Sequence, residues 1–310
     1  MGFRKIISFG DSSYVISLPK DWIDKNMLKK GESVIVEEEG DWLRVGPQNV
    51  KPTPQNKEIT IDFNGNLRDL KTRVLHAYVN NYNIINIKRQ KIEKNSSAIR
   101  QIISNFIGLD VVEQKDDRII VNDVLDISGV SVYNYLRRVD RLIISMAEDV
   151  KLMLDVKSDR IDALNQKDED VNKLCNLILK VLRRAQHRTD MKILNLKIED
   201  IFYYWDLVLS LEEIGDQFKR MVRYLDKQPN PEMIVLFDNC IENYNSAMKS
   251  NYTKDKDMAV AAMVYRKEFF DRCDKLGQSL DHNNCLFIDR LKQVHNLSGN
   301  IAKTLLKLGE

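Results

Sequence analysis

Prolines occur in only three places along the chain, and this spacing limits how the chain can fold. They lie at Pro19, within VGPQNVKPTPQNK (45–57), and within QPNP (228–231). Proline lacks a backbone N–H and is excluded from helix interiors and central strands. We therefore predict an extended linker at the second place and a break between helices at the third.

The composition is that of a globular chain long enough for two or three hydrophobic cores. Of the 310 residues, 43% are hydrophobic, and no apolar run approaches the roughly 18 residues needed to cross a bilayer. The first residues lack the apolar core of a signal peptide, so we expect a cytoplasmic protein with no membrane insertion. The net charge is +2, so any affinity for nucleic acid must come from locally placed cations.

Residues 1–46 have the pattern of a small strand-rich domain. Alternating side chains in SYVISL predict a strand, and PKDWIDKN predicts a short helix with proline in its first turn. SVIVEEEGDWLRV predicts a hairpin that turns at Gly40 and Asp41. A domain this short makes a poor core alone, so we predict an obligate homodimer.

Residues 58–127 predict a small α+β domain. EITIDF and NIINIKR have the composition of strands, and NLRDLKTRVLHAYVNNY between them has helical periodicity. SSAIRQIISNFIG predicts a second helix that Gly108 ends. LDVVEQKDDRIIVNDV predicts a hairpin with Asp116 and Asp117 at its tip.

The rest of the chain predicts helices throughout. Apolar residues recur every three or four positions in three long segments between residues 128 and 228, which predicts an up-down bundle. The pattern repeats after the proline break, with helices expected at roughly 232–250, 255–281 and 284–308. Two successive three-helix bundles, 128–228 and 229–310, are therefore expected.

Two polar pairs on neighbouring helices suggest a cation site. Glu212 and Asp216 lie one turn apart with Gly215 between them, although like charges at this spacing repel and glycine destabilises a helix. Asp168 and Asn172 have the same spacing on the preceding long helix. Antiparallel packing would bring the oxygens together around a hard cation, and the glycine would let the backbones approach.

Ordinary solvated helix faces are the alternative. In a chain with 30% charged residues, acidic pairs on helices commonly form ion pairs one turn along. Asp216 with Arg220 and Glu169 with Lys173 have the required spacing.

NQKDEDVNKL (165–174) and LEEIGDQFKRM (211–221) carry a resemblance that extends from Arg137 onward, to the PhoU family of phosphate-uptake regulators. That family consists of twin three-helix bundles in which one helix carries an acidic pair and the next a segment like ERIGD. The resemblance implies a divalent or ferric metal ion, Fe, Mn, Mg or Zn, and it implies these metal-site residues: Asp168, Asn172, Glu212 and Asp216. Asn172 stands where the family usually has aspartate. In the last helix of the second bundle, Gln293, His295 and Asn296 stand where the family has acids. One metal site is therefore expected, and not two.

GDSSYVISLPKDW followed by LKKGESVIV, within residues 4–45, resembles the SpoVT/AbrB family of DNA-binding modules. In that family two chains interleave their strands into one barrel and present basic side chains to DNA. The resemblance implies a DNA-binding surface with these candidates: Arg4, Lys5, Ser12, Ser13 and Lys20. Taken together, the chain is similar to archaeal phosphate-uptake regulators of the AbrB-plus-PhoU type.

The predicted fold class is therefore α+β multidomain. It comprises a dimeric swapped-hairpin AbrB-like barrel, a small α+β middle domain and tandem PhoU-like three-helix bundles. The predicted boundaries are 1–46, a linker at 47–57, 58–127, 128–228 and 229–310.

Three functions follow from these features. The first is a dimeric, metal-containing, non-enzymatic transcriptional regulator of phosphate uptake. The second is an adaptor that docks on a phosphate transporter ATPase or a signalling partner; it is favoured by the seven basic against eight acidic residues of positions 1–50 and by Asp11 and Asp21. The third is a metal hydrolase, which is not expected because no nucleophile has an adjacent base.

Overall fold

A computed structural model describes residues 3–11, 13–48, 57–156, 159–225 and 230–308. The chain divides into two compact units, Met1–Gln55 and Asn56–Glu310.

The first unit contains two antiparallel hairpins with a short helix between them. Its elements are β1 Ile7–Phe9, β2 Ser13–Val15, α1 Lys20–Lys25, β3 Val34–Glu39 and β4 Trp42–Pro47. Strand β1 pairs with β2, and β3 pairs with β4 in a register that sets Glu39 opposite Trp42. Gly40 adopts a φ of +57° at the second turn, a conformation that glycine reaches without steric cost. The predicted hairpin at Gly40 and Asp41 is confirmed.

This unit leaves its apolar side chains uncovered. Phe9, Tyr14 and Trp42 are 71%, 75% and 75% exposed, and helix α1 contributes no buried residue. Within the described part of the unit, no hydrophobic side chain is buried. A domain of this length gains its stability from apolar burial, so a single copy lacks the core that would hold the two hairpins together.

The second unit begins with a four-stranded sheet. Its elements are β5 Glu58–Asp62, α2 Leu67–Val79, β6 Ile84–Lys88, α3 Ser96–Ile103, β7 Leu109–Gln114 and β8 Arg118–Asp123. The strand order is β5-β6-β8-β7, with β5 and β6 parallel and the other pairs antiparallel. Ile85, Ile87 and Val121 are fully buried in a core that α2 and α3 cover. Asn66 caps α2 by accepting from the backbone of Arg68 and Asp69.

Every strand and helix predicted from residue 58 to residue 123 is present in this sheet and the helices that cover it. The hairpin tip at Asp116 and Asp117 lies between β7 and β8. These strands and helices formed where apolar residues recur at a regular spacing in the sequence. Each has one buried face, and that face fixes both the type of element and its register.

Helices make up the remainder of the described chain. They are α4 Val132–Val156, α5 Ile161–Arg184, α6 Arg188–Ile193, α7 Ile198–Met221, α8 Pro231–Thr253, α9 Lys256–Val264, α10 Arg266–Gly277 and α11 His282–Leu306. Helices α4, α5 and α7 pack on one another, and α11 packs along both α7 and α8. Their buried side chains form one continuous hydrophobic cluster. Helices of both predicted bundles therefore share a core, and the division into two PhoU-like bundles stays a prediction.

The segment predicted as one helix over 255–281 is broken. It forms α9 and α10, which meet at Tyr265. Asp255 caps α9 by accepting from the backbone N–H of Met258 at 2.9 Å. The sequence did not reveal the break, because the apolar spacing continues through it and no proline marks it.

A buried ion pair joins the sheet to the helices. Lys180 on α5 places its Nζ 2.7 Å from Asp123 Oδ2, and neither side chain is more than 3% exposed. The same ammonium donates to the backbone carbonyl of Tyr78 at 3.1 Å, and Asn81 donates to the carbonyl of Lys180. Burial lowers the pKa of Lys180, and the carboxylate of Asp123 opposes that shift. These contacts fix α2 against α5.

None of the helices that the structure describes is long and apolar enough to cross a membrane.

Candidate functional sites

The predicted DNA-binding residues lie on exposed parts of the first unit. Arg4 and Lys5 precede β1, Ser13 opens β2, and Lys20 opens α1; all four are exposed. Ser12 lies outside the described residues. Among the described residues, the Arg4 guanidinium donates to the backbone carbonyl of Phe3 alone, at 3.3 Å. Within the described ranges no carboxylate pairs with Arg4, Lys5 or Lys20, which leaves the three cations available to phosphate groups.

Acidic residues lie close to these cations in sequence. Asp11 is in the β1–β2 turn and Asp21 is the second residue of α1, and both are exposed. Any electrostatic attraction to DNA therefore depends on where the basic side chains gather and not on the charge of the whole unit.

Two hairpins and the short helix between them, with apolar strand residues left exposed, define a small strand-rich domain. Residues 7–53 match a family described as Antidote-toxin recognition MazE, bacterial antitoxin. This segment of the first unit is thus similar to MazE/AbrB-like domains, which typically dimerise and bind DNA. No curated protein and no solved structure matches the chain.

The predicted metal residues lie where α5 and α7 pack together. Asp168 is 2% exposed, and Glu212 and Asp216 are half-buried on the facing helix. Gly215 is buried: a Cβ there would lie 3.3 Å from Ile143 Cδ1 and 3.5 Å from Val171 Cγ1. The glycine thus lets α7 approach α4 and α5 closely.

The electrostatics of Glu212 show that the acidic groups of the two helices converge. Burial is the main cause that raises the pKa of Glu212 to about 6, followed by the negative charges of Asp216, Glu213 and Asp168. The buried Cys175 thiol has its pKa raised by burial and then by Glu212 and Asp168. The carboxylates of α5 and α7 therefore lie close enough to act on the same groups.

Side-chain cations already neutralise two of these carboxylates. Lys219 Nζ lies 2.5 Å from Asp168 Oδ2, and Arg220 Nη2 lies 2.5 Å from Asp216 Oδ2. Asn172 donates to Asp168 Oδ2 at 3.3 Å through its amide nitrogen. The ion pair between Asp216 and Arg220 that the solvated-face alternative predicted is therefore present.

The other ion pair of that alternative is not the one observed. Lys173 lies 3.8 Å from Asp170 Oδ1, so it pairs with a carboxylate three residues away and not four. Glu169 and Asp170 both lie within about one turn of Lys173, and the sequence alone did not show which of them would pair with it.

The four predicted metal residues fit a ready-made metal centre poorly as they are arranged. The described residues contain no group of three or more His, Cys, Asp or Glu side chains that could hold a metal ion. Lys219 was the residue that sequence reasoning missed. It lies one turn beyond Asp216, and its long side chain reaches across to α5. The metal site stays a prediction.

His295 lies where the family resemblance led us to expect acids in the second bundle. It is 1% exposed and stacks on Phe269 with ring centroids 4.1 Å apart. Neither ring nitrogen has a hydrogen-bond partner among the described residues. Burial, with a smaller contribution from Arg266, lowers its pKa to about 4, so the imidazole is neutral at physiological pH.

Proposed function

We propose that the chain is a dimeric, non-enzymatic transcriptional regulator that binds DNA through its first unit. The observation that carries this proposal is the match of residues 7–53 to the MazE family, in a unit whose apolar side chains one copy leaves uncovered. The helical unit then supplies the regulatory input, which the resemblance to PhoU proteins assigns to phosphate uptake.

Dimerisation follows from the exposed apolar side chains of the hairpins. Phe9 and Tyr14 on the first hairpin and Trp42 and Leu43 on the second are all exposed in one copy. The hairpins are separate two-stranded sheets, and isolated hairpins are at best marginally stable in water. A second chain that interleaves its strands would bury these side chains and pair the free strand edges.

The DNA contacts in this proposal are made by side chains that no carboxylate of the described residues pairs with. Arg4, Lys5 and Lys20 would neutralise phosphates, and the Ser13 hydroxyl would donate to a phosphate oxygen. Two copies double the set, so modest contacts on each half combine through two-site binding.

Gel shifts with genomic DNA fragments test the DNA half of the proposal. We expect the full-length dimer to bind at low salt. The triple variant Arg4→Gln, Lys5→Gln, Lys20→Gln should bind more weakly, and the slope of its log affinity against log salt concentration should be shallower by about one for each cation removed. Lys71→Gln, an exposed lysine on α2, is the matched control. Absence of DNA binding by the dimer at every salt concentration would remove the regulator function.

Light scattering of the same protein tests the dimer. A dimer of about twice the 36.2 kDa chain mass is expected. Trp42→Asp with Phe9→Asp is expected to abolish it, because two charges would enter the apolar interface. A stable monomer of the unsubstituted protein would argue against the interleaved arrangement.

Metal binding at Asp168, Asn172, Glu212 and Asp216 is a separate part of the proposal. The support for it is the proximity of the carboxylates and the lack of an ion-pair partner for Glu212 among the described residues, where Arg220 acts on it only at longer range. Binding there requires Lys219 and Arg220 to leave Asp168 and Asp216. Elemental analysis of the purified protein is the test, with Glu212→Ala plus Asp216→Ala against Glu148→Ala as the control. Metal content that does not respond to the double substitution would exclude this site.

An adaptor is the second candidate. The acidic balance of the first 50 residues, seven basic against eight acidic, favours a unit that dimerises without binding DNA. The partner would then be a phosphate transporter ATPase or a signalling protein. A pull-down with transporter components, run beside the gel shifts, separates the two candidates.

A further inference from the structure

A second basic site lies in the second unit and shares no lining residue with the two candidate sites described above. A cavity of about 380 Å³ opens between the loop before β7 and the helices α4 and α5. Its lining includes three cationic side chains, Arg138 and Arg141 on α4 and Lys173 on α5, and one acid, Asp170. Cavities of this size hold small organic ligands.

The charge of the cavity is incompletely neutralised. Three cations against one carboxylate leave an excess of two positive charges. Lys173 is the only one of the three with an ion pair among the described residues, and its distance to Asp170 is a loose 3.8 Å. Arg138 instead lies over the ring of Tyr135, 5.5 Å from its centroid.

The two arginines are spaced to act together. They lie three residues apart on α4 and therefore on the same face of the helix, one turn from each other. Planar guanidinium groups donate paired hydrogen bonds that match the oxygens of a phosphate, and a lysine adds a point charge. Two guanidinium groups and an ammonium around one cavity favour an anion with several oxygens.

The cavity also has an apolar wall. Ile107, Leu142 and Leu174 complete the lining, and the last of these is buried. The Tyr78 hydroxyl on α2 donates to the carbonyl of Ile107 at 2.7 Å, which fixes the loop that carries Ile107 to the helix covering the sheet. An inorganic anion would leave this wall in contact with water, whereas a ligand with a flat or apolar part would cover it.

We propose that this cavity binds a small organic phosphate, whose phosphate group lies on Arg138, Arg141 and Lys173 and whose apolar part lies against Ile107 and Leu142. A ligand there would contact the sheet and the helices at once, and would bias how the two pack. The inference concerns the input side of the proposed regulator, but the charge and shape that carry it do not depend on DNA binding.

Calorimetric titration of the full chain at low salt tests the inference. The probes are ADP, adenosine and inorganic phosphate. We expect ADP to bind, adenosine to bind at least tenfold more weakly because it lacks the phosphates, and inorganic phosphate to bind more weakly than ADP because it leaves the apolar wall uncovered. An about tenfold loss of ADP affinity is expected for Arg141→Gln and for Lys173→Gln, since each removes a charged hydrogen bond.

Matched variants keep the result interpretable. Lys249→Gln removes the same charge from an exposed position on α8 and is expected to leave ADP affinity unchanged. Ile107→Ala is expected to weaken ADP but not inorganic phosphate. The inference is overturned if ADP does not bind, or if Arg141→Gln and Lys173→Gln match the Lys249→Gln control.

DNA gel shifts on the same variants separate this inference from the proposed function. Arg141→Gln with Lys173→Gln is expected to retain DNA binding while it loses ADP. If DNA affinity falls together with ADP affinity, the cavity belongs to a nucleic-acid surface and the small-ligand inference is wrong. If the protein binds ADP but not DNA, the ligand site in the cavity is supported and the proposed regulator function is wrong.

Discussion

Lys180 Nζ lies 2.7 Å from Asp123 Oδ2, and this ion pair connects the C-terminal part of helix α5 to the end of strand β8 with both side chains buried. The charge of each group is costly to bury alone, because neither is hydrated. The pair therefore makes the packing of the sheet on α5 sensitive to loss of one partner, more than to loss of both.

Lys180→Met is expected to destabilise the fold strongly. It leaves Asp123 buried without its cation, which costs about 3–5 kcal/mol in the free energy of unfolding. The double variant Lys180→Met, Asp123→Asn should recover most of that loss, since the remaining amide still accepts from the backbone of Leu125. Urea denaturation measures both, with Lys249→Met as an exposed control. Equal losses for the single and double variants would contradict an uncompensated charge as the cause.

Asp140 joins α4 to α8 through two tyrosines. Its carboxylate, 7% exposed, accepts from the hydroxyls of Tyr244 at 2.7 Å and Tyr252 at 2.8 Å. Tyr244→Phe removes one donor from a buried carboxylate and is expected to cost about 1.5–3 kcal/mol of unfolding free energy. Tyr82→Phe, at a half-exposed ring, should change stability by less than about 0.5 kcal/mol. Thermal and urea unfolding of the two variants would reveal whether the difference exists.

Glu212 is expected to make stability depend on pH with the opposite sign from an ordinary ion-paired carboxylate. Its pKa is raised from 4.5 to about 6, so the folded state disfavours its ionised form. The penalty is absent below the unfolded value, grows as pH rises through about 6, and is complete at neutral pH. Glu212→Gln should therefore stabilise the protein at neutral pH, by about 1 kcal/mol after allowance for solvent screening, and have little effect near pH 4.

The measurement is the difference in unfolding free energy between Glu212→Gln and the parent protein at several pH values. Glu148→Gln, at an exposed position on α4, serves as the control and should give a difference that does not change with pH. A stabilisation that is equally large at acid pH would mean that shape and not charge explains the effect. Saturating metal, if it binds there, should abolish the difference, because a cation would favour the ionised form.

Predictability from sequence differs from one part of the chain to another. The β5–β8 sheet and its helices were predictable because each element has one buried face and a regular period. The close approach at Gly215 was also predictable, since glycine in a helix interior needs a reason to be there. The ion pair between Lys219 and Asp168 was not, because it joins residues 51 positions apart through a long flexible side chain.

Helix boundaries and shared cores were the harder part. The break at Tyr265 lies inside a segment whose apolar spacing is continuous, and the aspartate that caps α9 at position 255 marks only where that segment begins. The common core of α7, α8 and α11 depends on long-range packing, which periodicity along a single segment does not contain. In the first unit the sequence carried the apolar pattern of the strands, but a single copy does not show what covers those side chains.

Substitutions at two helical glycines should separate helix propensity from crowding. A Cβ added to Gly299 on α11 would have 4 Å of clear space beyond its own helix backbone and chain neighbours, among the described atoms, so Gly299→Ala should stabilise by about 0.5–1 kcal/mol. At Gly215 the same methyl lies 3.3 Å from Ile143 Cδ1, so the gain should be smaller or absent. Gly215→Leu should cost about 1–3 kcal/mol by overpacking. Chemical denaturation of the three variants gives the comparison. If Gly215→Ala increases the free energy of unfolding as much as Gly299→Ala does, the packing of α7 against α4 and α5 accommodates a methyl group without strain.

His295 should make the protein sensitive to acid. Its folded pKa is lowered from 6.5 to about 4, mainly by burial, so the unfolded chain takes up a proton at higher pH than the folded protein does. The folded state is therefore fully stable with respect to this group above about pH 6.5 and loses stability as pH falls towards 4, by up to about 3 kcal/mol.

His295→Phe keeps a flat ring able to stack on Phe269 and removes the titrating group. The variant should lose less unfolding free energy than the parent protein between neutral pH and about pH 4.5, whatever the carboxylates common to both contribute. His282→Phe, at an exposed position at the start of α11, should follow the parent protein. Identical acid dependence of the His295 variant and the parent would show that the imidazole reaches solvent or a partner in the folded state, because only then would its proton affinity match that of the unfolded chain.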